Sequence, residues 1–148
     1  MHVLDTITIT FAGLMVGNEL AVSAFFNPAI WQLECTPQAQ GLSILAGSLG
    51  RVMPVWYGLC LALLALESFL HRNEAALGSL LTATLIWTGV VIFSISALVP
   101  INNRIASLKT ATPTLGWRQD HKKWDFLHRV RILLLVVAFL ALTHALVA

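Results

Sequence analysis

Four apolar stretches dominate this chain, about Thr6 to Phe26, Val52 to Leu70, Ala75 to Val99 and Leu127 to Val147. Each is near the roughly 20 residues that carry a helix across a bilayer. A helix satisfies its backbone hydrogen bonds internally, and lipid offers no partner for any left over. The stretches therefore predict spanning helices and argue against an open sheet. Of 148 residues, 57% are apolar and 11% charged, with a mean hydropathy of +0.80, too oily a balance for a soluble domain. The expected fold is all-α: an integral membrane four-helix antiparallel bundle, one domain over residues 1–148, with long cytoplasmic helix extensions.

The first span ends in Val22-Ser23-Ala24, which has the small residues of a signal-peptide cleavage site. Met1 to Asp5 carries no Lys or Arg, however, and Glu19 interrupts the apolar run, so the span is expected to be retained. If the spans alternate, one side of the membrane receives Arg51, Arg104, Lys109, Arg118, Lys122, Lys123, Arg129 and Arg131, and the other only Arg72. The positive-inside rule makes the first side cytoplasmic and leaves both termini outside. The basic loop is read as a topology signal rather than a nucleic-acid surface; the expected partners are membrane lipid and a small molecule. Self-association into a homo-oligomer stays open. Cys35 and Cys60 differ in depth and compartment, which argues against a disulfide, and neither has metal-ligand spacing.

The connections are unequal. His71-Arg72-Asn73-Glu74 reads as a tight turn, whereas the other two connections are long. Thr36-Pro37 predicts an N-cap and first-turn proline for a helix over Gln38 to Arg51. Pro54 and Pro28 are expected to bend their helices. Pro113 to Gly116 predicts a turn, and from Trp117 the spacing is helical into the fourth span. The absence of an internal repeat leaves an inverted-repeat transporter unsupported.

Glu19 is a carboxylate within the first span, and ionisable groups at such depth usually face the bundle interior and mark a site. Trp124, His128, Arg131 and Leu135 follow at i, i+4, i+7 and i+11, one helical face, with His121 leading into it. At about 1.5 Å per residue, Glu19 and Arg131 reach similar depths and can pair if the first and fourth helices pack together. Asn18, Asn27, Arg51, Asn102 and Asn103 cluster at the same end, as a pocket open to the cytoplasm would need. The blander alternatives are Arg131 snorkelling to headgroups, Trp124 in the interfacial aromatic belt and His128 as a hydrogen-bonded packing residue. At the opposite end Glu67 and His71 stand at i, i+4, and His144 lies near their level. A salt bridge is the commoner reading of that group, and haem ligation by His71 and His144 the alternative.

The chain resembles the small four-span membrane family that includes the anthrone oxygenases of polyketide pathways. The resemblance rests on Ala12-Gly13-Leu14-Met15-Val16-Gly17, on Phe26-Asn27-Pro28, on Pro100-Ile101-Asn102-Asn103 and on Trp124-x-x-x-His128-x-x-Arg131. It implies an oxidoreductase acting on a flat, apolar aromatic or quinone-like molecule with O₂. The central methylene of an anthrone is acidic because its anion is delocalised, and such an anion can react with O₂ without metal or flavin. The enzyme then needs a base, a donor for the oxyanion and an apolar cavity. His128 or Glu19 is the candidate base and Arg131 the oxyanion partner. Asn18, Asn102 and Asn103 are candidate substrate contacts, and Trp124 is a wall of the cavity. Burial strengthens Glu19 as a base and contact with Arg131 weakens it, so His128 is preferred if the ion pair forms. No cofactor is implied; haem or a metal ion is the alternative, including mixed ligation by Glu19, His121 and His128. A proton-coupled transporter with a single Glu in its first span is the rival from another class, against which Arg131 would repel a cationic substrate.

Overall fold

The computed structural model describes residues 2–110 and 116–147. Four helices carry the chain, α1 (Val3–Trp31), α2 (Cys35–Leu70), α3 (Leu77–Ala106) and α4 (Trp117–Val147), each long and apolar enough to cross a membrane. No strand occurs among the described residues. Helix α1 packs against α2 and α4, and α3 against the same two, so the helices follow one another around the bundle in chain order. The connection between α1 and α2, expected to be long, is only residues 32–34 because both helices extend beyond their apolar spans; it and the turn between α2 and α3 make those neighbours antiparallel.

The core is built where one stripe from each helix meets. Met15, Cys60, Leu64, Leu80, Trp87, Val90, Leu135 and Leu142 are buried in a single cluster. The outward stripes are apolar too: Phe25, Val55, Leu85, Ile92, Leu133 and Leu140 are all exposed. A helix oily on every side is the pattern of a membrane span, with acyl chains solvating the outer face. Gly13 permits a close α1–α4 approach, since a Cβ there would lie 3.1 Å from Cζ of Phe139. A second cluster, Leu42, Ala46, Ile101, Ile105 and Trp117, seals the long-loop end of the bundle.

The prolines act differently from one another. Helix α2 runs through Pro54 without interruption. In α1 and α3 the backbone widens into a π-helical turn, Val22–Phe26 and Ser94–Leu98. Each turn ends two residues before a proline, Pro28 or Pro100. A proline cannot donate the usual helical bond and its ring crowds the carbonyl four residues back. The wider turn relieves that crowding: Asn27 N–H donates to Val22 O and Val99 N–H to Ser94 O. Such turns recur beside functional sites.

The start of α2 corrects one expectation. Thr36 is not the N-cap; the helix begins at Cys35, Glu34 is the cap residue, and Pro37 sits within the first turn. Proline is tolerated there because first-turn N–H groups have no helical partner to lose. The turn expected at Pro113 to Gly116 falls outside the described residues except for Gly116, whose φ of 109° favours glycine. Cys35 and Cys60 are both free thiols, one exposed and one buried.

Candidate functional site

The face expected on α4 is the inward one: His121, Asp125, His128, Arg131 and Leu135 are buried along it. It brings Arg131 to Glu19 of α1. Arg131 Nη2 donates to Glu19 Oε2 at 2.6 Å, with Glu19 only 2% exposed. The other carboxylate oxygen, Oε1, accepts from the Tyr57 hydroxyl of α2 at 3.1 Å. Arg131 also lies 5.5 Å from the centre of the Tyr57 ring and makes a long 3.5 Å contact with Ser94 Oγ of α3. All four helices thus meet at one ion pair. A salt bridge this dry persists because its charges are hydrogen-bonded on both sides.

His128 is tied into the same group. Its Nε2 is 3.2 Å from the Glu19 backbone carbonyl, which can only accept, so Nε2 carries the proton. Nδ1 is then a lone pair, and it accepts from Arg131 Nη2 at 2.9 Å. Nδ1 is also 3.2 Å from Glu19 Oε2. Trp124 lies flat on the imidazole, with ring centres 4.5 Å apart and planes 17° from parallel.

A cavity of about 230 Å³ opens against this group. One water takes up about 30 Å³, so the space suits several waters or a small organic molecule. Its wall is mainly apolar, with Met53, Leu61, Val91 and Leu98, while Glu19, Tyr57, Ser94, His128 and Arg131 form the polar side. Asn102, Asn103 and Trp124 line it as well. Asn102 is held by a 3.1 Å bond from Nδ2 to Ala46 O, close against Gly50, where a Cβ would lie 3.0 Å from that nitrogen.

Of the residues expected at the site, Glu19, His128, Arg131, Trp124, Asn102 and Asn103 converge. Asn18 does not line the cavity; its amide meets Met53 Sδ at 3.6 Å. Asn27 bonds Asp125 at 2.8 Å, and exposed Arg51 turns back to Gly47 O. His121 stacks on Trp31, with ring centres 4.4 Å apart, instead of joining Glu19 and His128. Sequence reasoning missed Tyr57 and Ser94. The available signal was that Tyr57 is the sole tyrosine and lies within a span.

At the short-turn end a second polar group surrounds His71. Its Nδ1 is 2.7 Å from Glu74 Oε2, and its Nε2 is 3.5 Å from Glu67 Oε2 and 3.9 Å from Asp5 Oδ1. The hydrogen bond to Glu74 holds the His71 imidazole above its ordinary pKa. His144, expected nearby, is exposed.

The model of the anthrone oxygenase family matches residues 44–141. The match takes in Tyr57, Ser94, Asn102, Asn103, Trp124, His128 and Arg131 but stops short of Glu19. No curated protein and no solved structure gives a match. A family match over most of the length, on four helices able to cross a membrane, places this chain in the anthrone oxygenase family.

Proposed function

We propose that the protein is a membrane oxidoreductase that uses O₂ to oxidise a flat, apolar aromatic or quinone-like molecule in the cavity beside Glu19. One observation carries the reading: an apolar cavity whose polar side holds a histidine lone pair, a guanidinium and a carboxylate in mutual contact. His128 Nδ1, once Arg131 Nη2 releases its lone pair, takes a proton from the acidic CH₂ of the substrate. Once protonated, Nδ1–H donates to Glu19 Oε2, already 3.2 Å away, while Nε2–H stays on the Glu19 carbonyl. Glu19 is thereby the counter-ion of the imidazolium, as in other base and carboxylate pairs.

Arg131 loses its acceptor on Nδ1 at the same moment. Its Nε–H has no partner among the described residues, so donors are available to the oxyanion of the delocalised substrate anion. That anion reacts with O₂; one oxygen atom ends in the new carbonyl and the other leaves as water, so CH₂ and O₂ become C=O and H₂O. Tyr57 holds Glu19, Trp124 keeps the imidazole plane in place, and Asn102 and Asn103 supply hydrogen bonds from the cavity wall. On the charge distribution of the loops, the Asn102 and Asn103 end of the bundle faces the cytoplasm and both termini lie outside.

The test is O₂ consumption and quinone absorbance with detergent-purified protein and an anthrone. Turnover above spontaneous oxidation that disappears in a folded His128→Ala variant is the expected result. A native protein no faster than buffer removes the reading.

A further inference from the structure

The short-turn end holds charge that the protein does not balance. Asp5 of α1 and Glu67 of α2 are buried, the latter fully, and among the described residues no Lys or Arg pairs with either. The single imidazole of His71 faces both of them and Glu74 as well. At most one positive charge therefore meets three carboxylates. Three atoms, Asp5 Oδ1, Glu67 Oε2 and His71 Nε2, are buried and lack a hydrogen-bond partner among the described residues. They lie within 4.8 Å of one another. Long ion-pair contacts among the three do not replace hydrogen bonds, and leaving such atoms without them is costly in a dry interior.

Their outer partners are arranged as those of metal ligands are. Glu74 takes the Nδ1 side of His71 at 2.7 Å, so Nε2 is the nitrogen that faces the two carboxylates, and a metal taking the place of its proton would find all three ligand atoms turned toward it. Thr8 Oγ1 donates to Glu67 Oε1 at 2.7 Å, which fixes the carboxylate and turns Oε2 inward. A histidine whose second nitrogen meets a carboxylate, beside a carboxylate ligand that is itself hydrogen-bonded, is the usual outer shell of a metal site. Ligand bonds of 2.0 to 2.1 Å in a tetrahedral site put ligand atoms about 3.4 Å apart. The 3.5 Å and 3.9 Å separations from His71 Nε2 are long for hydrogen bonds and close to that spacing.

We infer that Asp5, Glu67 and His71 bind a divalent transition-metal cation of the zinc or manganese class. Two carboxylates and a neutral imidazole balance a charge of two, and mixed oxygen and nitrogen donors suit these ions. Three protein ligands leave a fourth position for water. The site ties α1 to α2 at the end of the bundle away from Glu19, and it stands whether or not the oxidation proposed above occurs.

The experiment uses the full chain without an affinity tag, in detergent, stripped with chelator and then loaded with zinc chloride or, separately, manganese chloride. Excess ion is removed by gel filtration and metal is counted by mass spectrometry, with helicity and elution position as the folding readout. About one zinc or manganese per chain is expected in the native protein. Retention should fall at least tenfold in His71→Gln and in Asp5→Asn. If His71→Gln fails to fold, Asp5→Asn decides alone, because it removes one ligand and leaves the His71 to Glu67 contact. Native protein that retains neither ion overturns the inference, and so does undiminished retention in folded Asp5→Asn.

Discussion

Arg131 and Glu19 stand 112 residues apart in the chain and 2.6 Å apart in the fold. Removing one partner strands the other in a dry site, which costs about 3–5 kcal/mol, whereas removing both does not. Glu19→Gln and Arg131→Met are therefore expected to be strongly destabilised, with the double variant more stable than either. Denaturant titration in detergent measures the cycle. Additive losses would show that the pair is not coupled.

Tyr57 separates holding from chemistry. Its hydroxyl supplies one hydrogen bond to a carboxylate, worth about 1.5–3 kcal/mol, and takes no proton in the proposed reaction. Tyr57→Phe should lose stability of that order and reduce the oxidation rate less than about tenfold. His128→Ala, lacking the base, should lose about a hundredfold or more. A larger kinetic loss in Tyr57→Phe than in His128→Ala would transfer the base role away from the histidine.

The two glycines at positions 17 and 50 make a matched pair. Nothing lies within 4 Å of a Cβ at Gly17, while one at Gly50 would press on the Asn102 amide at 3.0 Å. Alanine is favoured over glycine in a helix by up to about 1 kcal/mol, so Gly17→Ala should be stabilising. In Gly50→Ala that gain is offset by a weakened Asn102 to Ala46 bond, leaving stability near native. Its signature should instead be a raised KM with kcat little changed, because Asn102 is a cavity residue. An unchanged KM would remove Asn102 from substrate binding.

The parts of this architecture that lipid enforces were legible in the sequence. Four spans follow from backbone hydrogen bonding, and the Trp124, His128, Arg131 face follows from helical spacing. Depth counting brought Glu19 to Arg131. Contacts that depend on how two helices are rotated were not legible: Tyr57 reaches Glu19 from a different helix, in a stretch of α2 that stays helical through Pro54. Asp5 and Thr8 meet Glu67 and His71 through the α1 to α2 packing, whereas the i, i+4 relation of Glu67 and His71 needs one helix alone. The π-helical turns left only their prolines as a trace, at Pro28 and Pro100.

The thiols offer a direct reading of orientation. Cys35 is exposed at the start of α2, on the long-loop end with Gly116, while Cys60 is 1% exposed within the same helix. A charged maleimide cannot cross lipid and will find Cys60 shielded by packing, so Cys35 alone should report. If the basic loops are cytoplasmic, intact cells should leave the protein unlabelled, and permeabilised cells should give full labelling that vanishes in Cys35→Ser. The consequence reaches the chemistry, because Asn102 and Asn103 line the cavity and lie toward that same end. Labelling of Cys35 in intact cells would turn the bundle over, and substrate would then arrive from outside.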